Sequence, residues 1–126
     1  MAVKFLSEEW ASAVTDALNS NDAFQQQAQG KTVKVQQIVT TPQETRYYFR
    51  LEDGKAQVAV GELPDAEATL TQDYDTAVAL AKNELNATAA YMSGKLKIQG
   101  DLMRLMQLQS LFATLPQAIK DIDVEY

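Results

Sequence analysis

Residues 92–112 read MSGKLKIQGDLMRLMQLQSLF. Lys95-Leu96-Lys97-Ile98 alternates polar and apolar, the period of a half-buried strand with both lysines outward. Gly100-Asp101 turns the chain, and Asp101 is placed to cap a helix. Of the eleven residues 102–112, seven are Leu, Met or Phe. At about 100° per residue, Leu105, Leu108, Leu111 and Phe112 share an arc of roughly 120°. Leu102, Met103 and Met106 form a second arc of about 100°. Arg104 and Gln107 separate the arcs on one side, and Gln109 on the other. One arc seats a helix on a sheet. The second needs an occupant of its own: another helix, a second subunit, a membrane or a ligand. Apart from Met1, the methionines are Met92, Met103 and Met106, all within fifteen residues. Methionine serves adaptable binding surfaces as well as irregular cores.

Upstream, the chain divides into a helical zone, a strand zone and a second helical zone. Ser7 is placed to cap a first helix, with Glu8 and Glu9 in its first turn and Trp10, Val14, Ala17 and Leu18 on one face. Asn21 or Asp22 caps a short second helix that carries Phe24 and stops at Gly30. A strand begins at Val33 and Val35 and runs through Ile38. In ETRYYFRLEDGKAQVAVGE, Tyr47, Phe49 and Leu51 point one way and Tyr48, Arg50 and Glu52 the other. Asp53-Gly54 supplies a hairpin turn, and Ala56, Val58 and Val60 line one face of the return strand. Residues 68–72, ATLTQ, make a fourth strand. Asp73 or Asp75 caps a helix with Ala77, Val78, Leu80 and Ala81. A short helix over residues 87–92 stops at Gly94, ahead of the fifth strand. The last helix is expected to break at Pro116. Short turns between strands predict a largely antiparallel sheet. The class is α+β: a five-stranded, mostly antiparallel sheet with helices on one face.

The chain has 126 residues, which suits a single domain over residues 1–126. It contains neither Cys nor His. Thiolate chemistry, disulfides and a Ser-His-Asp triad are therefore excluded, and the commonest general base is missing. Seventeen acidic residues against eleven basic ones give a net charge of −6. Such a balance disfavours nucleic acid and anionic membranes, whose binding relies on neutralising phosphate. The first residues lack a signal-peptide core, no apolar run approaches a membrane span, and DIDVEY is no peroxisomal address. The expectation is a cytoplasmic protein with at most transient membrane contact.

GKLKIQGDLMRLMQLQSLF resembles the C-terminal signature of the sterol carrier protein type 2 (lipid-transfer) family. In that family a Met-Ser-Gly-Lys-Leu-Lys-Ile-x-Gly-Asp segment leads into an apolar helix. DAEATLTQDYDTAVALAKNELNATAAYMSG is similar to the family's strand, capped helix and Ala-rich turn before Met-Ser-Gly. Residues 5–24, with a tryptophan in the first helix, resemble the start of small standalone bacterial members. The resemblance implies a hydrophobic tunnel between sheet and helices and no cofactor or reaction. The implied ligand is a fatty acid, fatty acyl-CoA, phospholipid or sterol-like molecule. The second arc would then face the tunnel. Leu102, Met103 and Met106 are first candidates for its lining, with Met92 at a rim, followed by Leu105, Leu108 and Phe112. Phe49, Val58 and Val60 are expected to point in from the sheet. Tyr47, Leu96 and Ile98 read as plain core.

The carboxylate pairs Asp73/Asp75, Asp121/Asp123 and Glu8/Glu9 sit at helix starts or near the chain end, where capping and solubility explain them better than catalysis or a metal site. Two functional readings follow. One is a non-catalytic carrier that encloses a hydrophobic molecule. The other is an accessory module whose apolar helix face binds a partner enzyme or a second copy of this chain. An enzyme lacking His and Cys would have to rely on Asp, Glu, Tyr or Lys.

Overall fold

A computed structural model describes residues 2–126. Five strands form the main sheet in the order β4-β3-β2-β5-β6: β2 (Val33–Val39), β3 (Thr45–Glu52), β4 (Lys55–Val60), β5 (Ala68–Gln72) and β6 (Leu96–Gly100). A second, two-stranded parallel sheet joins β1 (Val3–Lys4) to β7 (Val124–Glu125). Three pairings in the main sheet are antiparallel; β2 and β5 run parallel. The expected α+β class with a five-stranded, mostly antiparallel sheet is what the chain forms. The β2–β3–β4 meander follows from its turns. Asp53 and Gly54 both take positive φ, 51° and 77°, as a two-residue hairpin of opposite turn hand requires.

The chain then crosses to the far side of β2, and two side chains on the outer sheet face hold the crossing. Gln36 donates to the carbonyls of Tyr47 and Gly61 at 2.9 and 3.1 Å and accepts from the Leu63 amide at 2.6 Å. Lys34 holds Asp65 at 2.6 Å and Glu52 at 3.4 Å. The Lys34 amide donates to the Glu67 carboxylate at 2.9 Å, and the Glu67 amide to the Lys34 carbonyl at 2.7 Å. These bonds deliver β5 beside β2 in parallel.

The other face carries the core. Val33, Leu51 and Ala56 lie in one cross-strand row, and Val35, Phe49, Val58 and Ala68 in the next. Against them pack Trp10, Val14 and Leu18 of α1 (Glu8–Ser20), Phe24 of α2 (Asp22–Ala28), and Leu105, Leu108 and Leu111 of the C-terminal helices. Ser7 and Asn21 are the caps of α1 and α2; they accept from the amides of Trp10 at 3.1 Å and Phe24 at 2.8 Å. Burial of each large side chain here contributes about 1.5–3 kcal/mol.

Helix α1 also closes one edge of the sheet. The Thr15 hydroxyl accepts from Val58 N at 2.8 Å and lies 3.0 Å from Val58 O. Asn19 repeats the arrangement one step along, accepting from Ala56 N at 2.9 Å and donating to Ala56 O at 3.0 Å. The two side chains thus stand in for a neighbouring strand along β4, which would otherwise offer unpaired backbone groups to another chain.

Between β5 and β6 run α3 (Tyr74–Ala81), capped by Asp73, and α4 (Ala87–Met92), capped by Asn86. After β6 the expected single helix is three: α5 (Leu102–Gln107), α6 (Gln109–Ala113) and α7 (Leu115–Ile119). The first break falls at Leu108, whose backbone leaves the helical region (φ −98°, ψ 11°) and whose amide bonds Leu105 O, three residues back. The second falls at Thr114, whose hydroxyl bonds Leu111 O at 2.6 Å. Pro116 therefore does not break a helix. It begins one, at a position where its missing N–H costs nothing.

Candidate functional site

The arcs of the sequence separate as exposed and buried. Leu105 is buried, Leu108 and Leu111 are 1% and 0% exposed, and half-buried Phe112 meets Phe49 edge-on at 6.3 Å. Leu102 is half-buried. Met103 and Met106, by contrast, are 67% and 56% exposed, and Met92 is 81% exposed. The expectation that these methionines face an enclosed space is corrected here: they look into solvent. Both methionines precede the break at Leu108 and lie on the face of α5 turned away from Leu105, which packs on the core. Phe49 and Val58 point inward as expected, but into close-packed core. Leu108→Ala is accordingly expected to cost about 2–5 kcal/mol in urea unfolding. Met103→Ala and Met106→Ala should each stay within about 0.5 kcal/mol of the parent.

Partial exposure on the inner face of the sheet falls elsewhere. Gln37, Tyr47, Val60, Leu70 and Ile98 form one row across all five strands. Each is half-buried, or in the case of Val60 exposed. The neighbouring rows are mostly buried: Val35, Phe49, Val58 and Ala68 below, and Val39, Gln72 and Leu96 above, with Thr45 of the upper row half-buried and Gly100 of the lower row exposed. Gln37 sits on the central strand, where cover should be most complete. This row of partly exposed residues, crossing all five strands on the helix-covered face, is termed the trough. Tyr47, Leu70 and Ile98 pack on the core together with half-buried Val78 and Ala81 of α3, Phe112 of α6 and Leu115 and Ile119 of α7.

At one flank the Trp10 ring stands edge-on to Tyr47 at 5.3 Å. Trp10 also lines a cleft of about 450 Å³ with Val14, Ala81, Pro116, Ile119 and Val124 among its apolar walls and Lys82, Lys120 and Asp123 among its charged ones. The C-terminal segment borders this cleft. It is held by the β1–β7 pairing, by Tyr74 donating to Tyr126 O at 3.0 Å, by Tyr126 packing on Phe5 and by Lys82 over the Tyr126 ring at 4.9 Å. A smaller hollow of about 310 Å³ beside the hairpin turn is lined by Arg50, Glu52, Asp53 and Lys55, a charged surface unsuited to an apolar molecule.

The trough is uncharged. Apart from Gln37 and Gln72, its polar group is the Tyr47 phenol, which burial pushes well above the ordinary tyrosine range and so keeps neutral. The ion pairs lie away from it: Lys34 with Glu52 and Asp65, Arg46 with Glu44 and Glu62, and Arg104 with Glu67. Among the described residues, no group of three or more Asp or Glu stands close enough to hold a metal ion. Among the described residues no helix is long and apolar enough to cross a membrane. Tyr47 and Ile98, read from sequence as plain core, do pack against it, while Gln37, Leu70 and Gln72 were given no role in the sequence. The available signal was a glutamine with inward parity in the run Val33–Val39.

A five-stranded, mostly antiparallel sheet covered on one face by helices, with an uncharged, partly exposed row on that face, defines the class of the fold. The comparisons agree with that class. The profile of the SCP-2 sterol transfer family matches residues 13–113, and the chain belongs to this lipid-binding family. Sterol carrier protein 2 of Gallus gallus is 34% identical over 68 residues, covering 54% of this chain and 12% of that protein. Stomatin-like protein 1 of Mus musculus is 33% identical over 81 residues, covering 62% of this chain and 20% of that one. The chain thus spans a fifth or less of the length of these relatives. A crystal structure of sterol carrier protein 2 superposes with a TM-score of 0.76 at 20% identity, covering 94% of this chain and 98% of that one; at that identity the likeness concerns the fold.

Proposed function

We propose that this chain binds a lipid or similar hydrophobic molecule, without reacting on it, in the trough along Val60, Tyr47, Gln37, Leu70 and Ile98, with the cleft at Trp10 as its mouth. The observation that carries this reading is a row that is half-buried or exposed at all five positions, flanked by mostly buried rows, on the helix-covered face. Burying one methylene is worth about 0.8 kcal/mol, so an acyl chain of about sixteen carbons offers on the order of 12 kcal/mol gross. Lost rigid-body freedom and chain ordering remove several kcal/mol of that. Dissociation constants between about nanomolar and micromolar follow. Native mass spectrometry of the purified protein, followed by organic extraction, tests the reading. An adduct of one molecule that extracts as a lipid supports it. A bare mass that stays bare after lipids are added back refutes it.

A second reading rests on the exposed Met92, Met103 and Met106. Flexible apolar side chains in solvent suit a transient contact, with a membrane surface or a partner, during loading. Sedimentation with neutral phospholipid vesicles, compared between the parent and a variant with all three changed to Ser, tests it. Equal sedimentation of the two would remove this reading.

A further inference from the structure

Resting on the trough as a ligand site, we propose that the amides of Gln37 and Gln72 and the hydroxyl of Tyr47 form a hydrogen-bonding subsite that selects an uncharged, carbonyl- or hydroxyl-bearing hydrophobe over an anionic lipid. Gln37 projects from the middle of the central strand onto the helix-covered face, directly opposite Tyr47 on one side and Leu70 on the other. Gln72 lies in the adjoining row of β5 and donates from Nε2 to Gln37 Oε1 at 3.2 Å. That bond uses one group of each amide. The remaining NH₂ of Gln37 and carbonyl of Gln72 make no other side-chain hydrogen bond, and neither does the Tyr47 hydroxyl. Turning both amides over preserves the pair bond and again leaves one donor and one acceptor free. The inventory is therefore the same in either orientation: a free amide donor, a free amide acceptor and a phenol that can play either part.

Open valences in a core face are costly unless something meets them. Among the described residues, no side-chain N or O that is sealed from solvent lacks a partner. The free groups of Gln37, Gln72 and Tyr47 therefore each reach accessible space. If the glutamines served only to tie β5 to β2, the pair bond alone would suffice, and the phenol across from Gln37 would have no part.

Charge sets the ligand class. The inner face holds Val33, Leu51, Ala56, Val35, Phe49, Val58, Ala68, Val60, Leu70, Ile98, Val39, Thr45 and Leu96 around the trio, and none of them ionises. The cleft beside Trp10 carries Lys82, Lys120 and Asp123, and Asp73, which follows Gln72, is engaged in capping α3. A carboxylate or phosphate seated at the trio would be desolvated with no counter-charge, a cost of several kcal/mol. A ketone, ester or alcohol oxygen there loses far less water and receives an N–H and an O–H in exchange.

The test uses probes that share one long chain and differ only at the head: a fatty acid, its methyl ester, the corresponding alcohol and the plain hydrocarbon. Each competes with Nile red for the full chain at a pH well above the carboxylate range. The ester and alcohol should displace the dye at concentrations at least about tenfold below the ionised acid. In Tyr47→Phe, and in the paired variant Gln37→Leu with Gln72→Leu, that advantage should fall by about tenfold. A far-UV circular dichroism spectrum like the parent's, with a cooperative thermal transition, shows that both variants remain folded. Equal displacement by acid and ester in the parent, or an ester advantage that survives in both variants, overturns the subsite while leaving the trough intact. If the hydrocarbon itself fails to compete with the parent, the trough reading falls and the subsite with it.

Discussion

Gly100→Ala should lower the unfolding temperature by about 10–15 °C, corresponding to a loss of about 3 kcal/mol for a domain of this size. Gly100 has φ +107°, a region that L side chains rarely adopt. A Cβ built there would stand 2.5 Å from the Glu67 carbonyl oxygen and 2.8 Å from the Ala68 Cα. Both atoms are backbone, so no side chain can swing aside to relieve the contact. The Asp101 amide donates to that same Glu67 oxygen at 3.1 Å, and Gly100 pairs with Ala68 in the β5–β6 register. Pushing this segment apart loosens both the end of β6 and the cap of α5. Strain and overpacking together account for the magnitude. Gly94→Ala makes a useful contrast: it also has positive φ, at 82°, but its Cβ would meet nothing within 4 Å. It should cost only the strain term of about 1 kcal/mol. Differential scanning calorimetry separates the two.

Leu70→Trp should abolish uptake of long-chain lipids, with affinity reduced at least about tenfold, while the fold persists. Leu70 stands between Gln37 and Ile98 in the trough row and is only half-buried. An indole there occupies the space a chain would take, in a row with room to receive it. If the variant loses its cooperative unfolding transition, the row is ordinary core, since overpacking a sealed site costs about 1–3 kcal/mol or more. Leu51→Trp, at a fully buried site two rows away, is the matching control and should be severely destabilised.

Local features of the fold were legible in the residues. The alternation of Tyr47, Phe49 and Leu51 against Tyr48, Arg50 and Glu52 set the face of β3, and Asp53-Gly54 set the hairpin. The caps Ser7 and Asp101 are where the side-chain chemistry placed them, and at the open pairs the structure uses Asn21 and Asp73. Long-range features were not legible. The parallel pairing of β5 with β2 depends on Gln36 and Lys34 gripping a loop some thirty residues away, which no local period records. The β1–β7 pairing joins two dipeptides from opposite ends of the described chain. The break at Leu108 carries no glycine or proline, and the exposure of the methionine arc depends on which face of α5 the sheet covers. The trough itself was hidden because a half-open row and a sealed row look the same in an alternating strand. Only the register, which lines up Gln37, Tyr47, Leu70 and Ile98, makes it visible.

The central claim is that an acyl chain lies in this trough, against Trp10. Trp10 is the sole tryptophan of the chain and touches Tyr47 from the cleft side. Titration with a fatty-acid methyl ester brominated in mid-chain, followed by tryptophan fluorescence, reads that position directly. Saturable quenching that ends at one equivalent is the expected result. Unchanged Trp10 emission while calorimetry shows the same probe binding, or no binding at all, would contradict it.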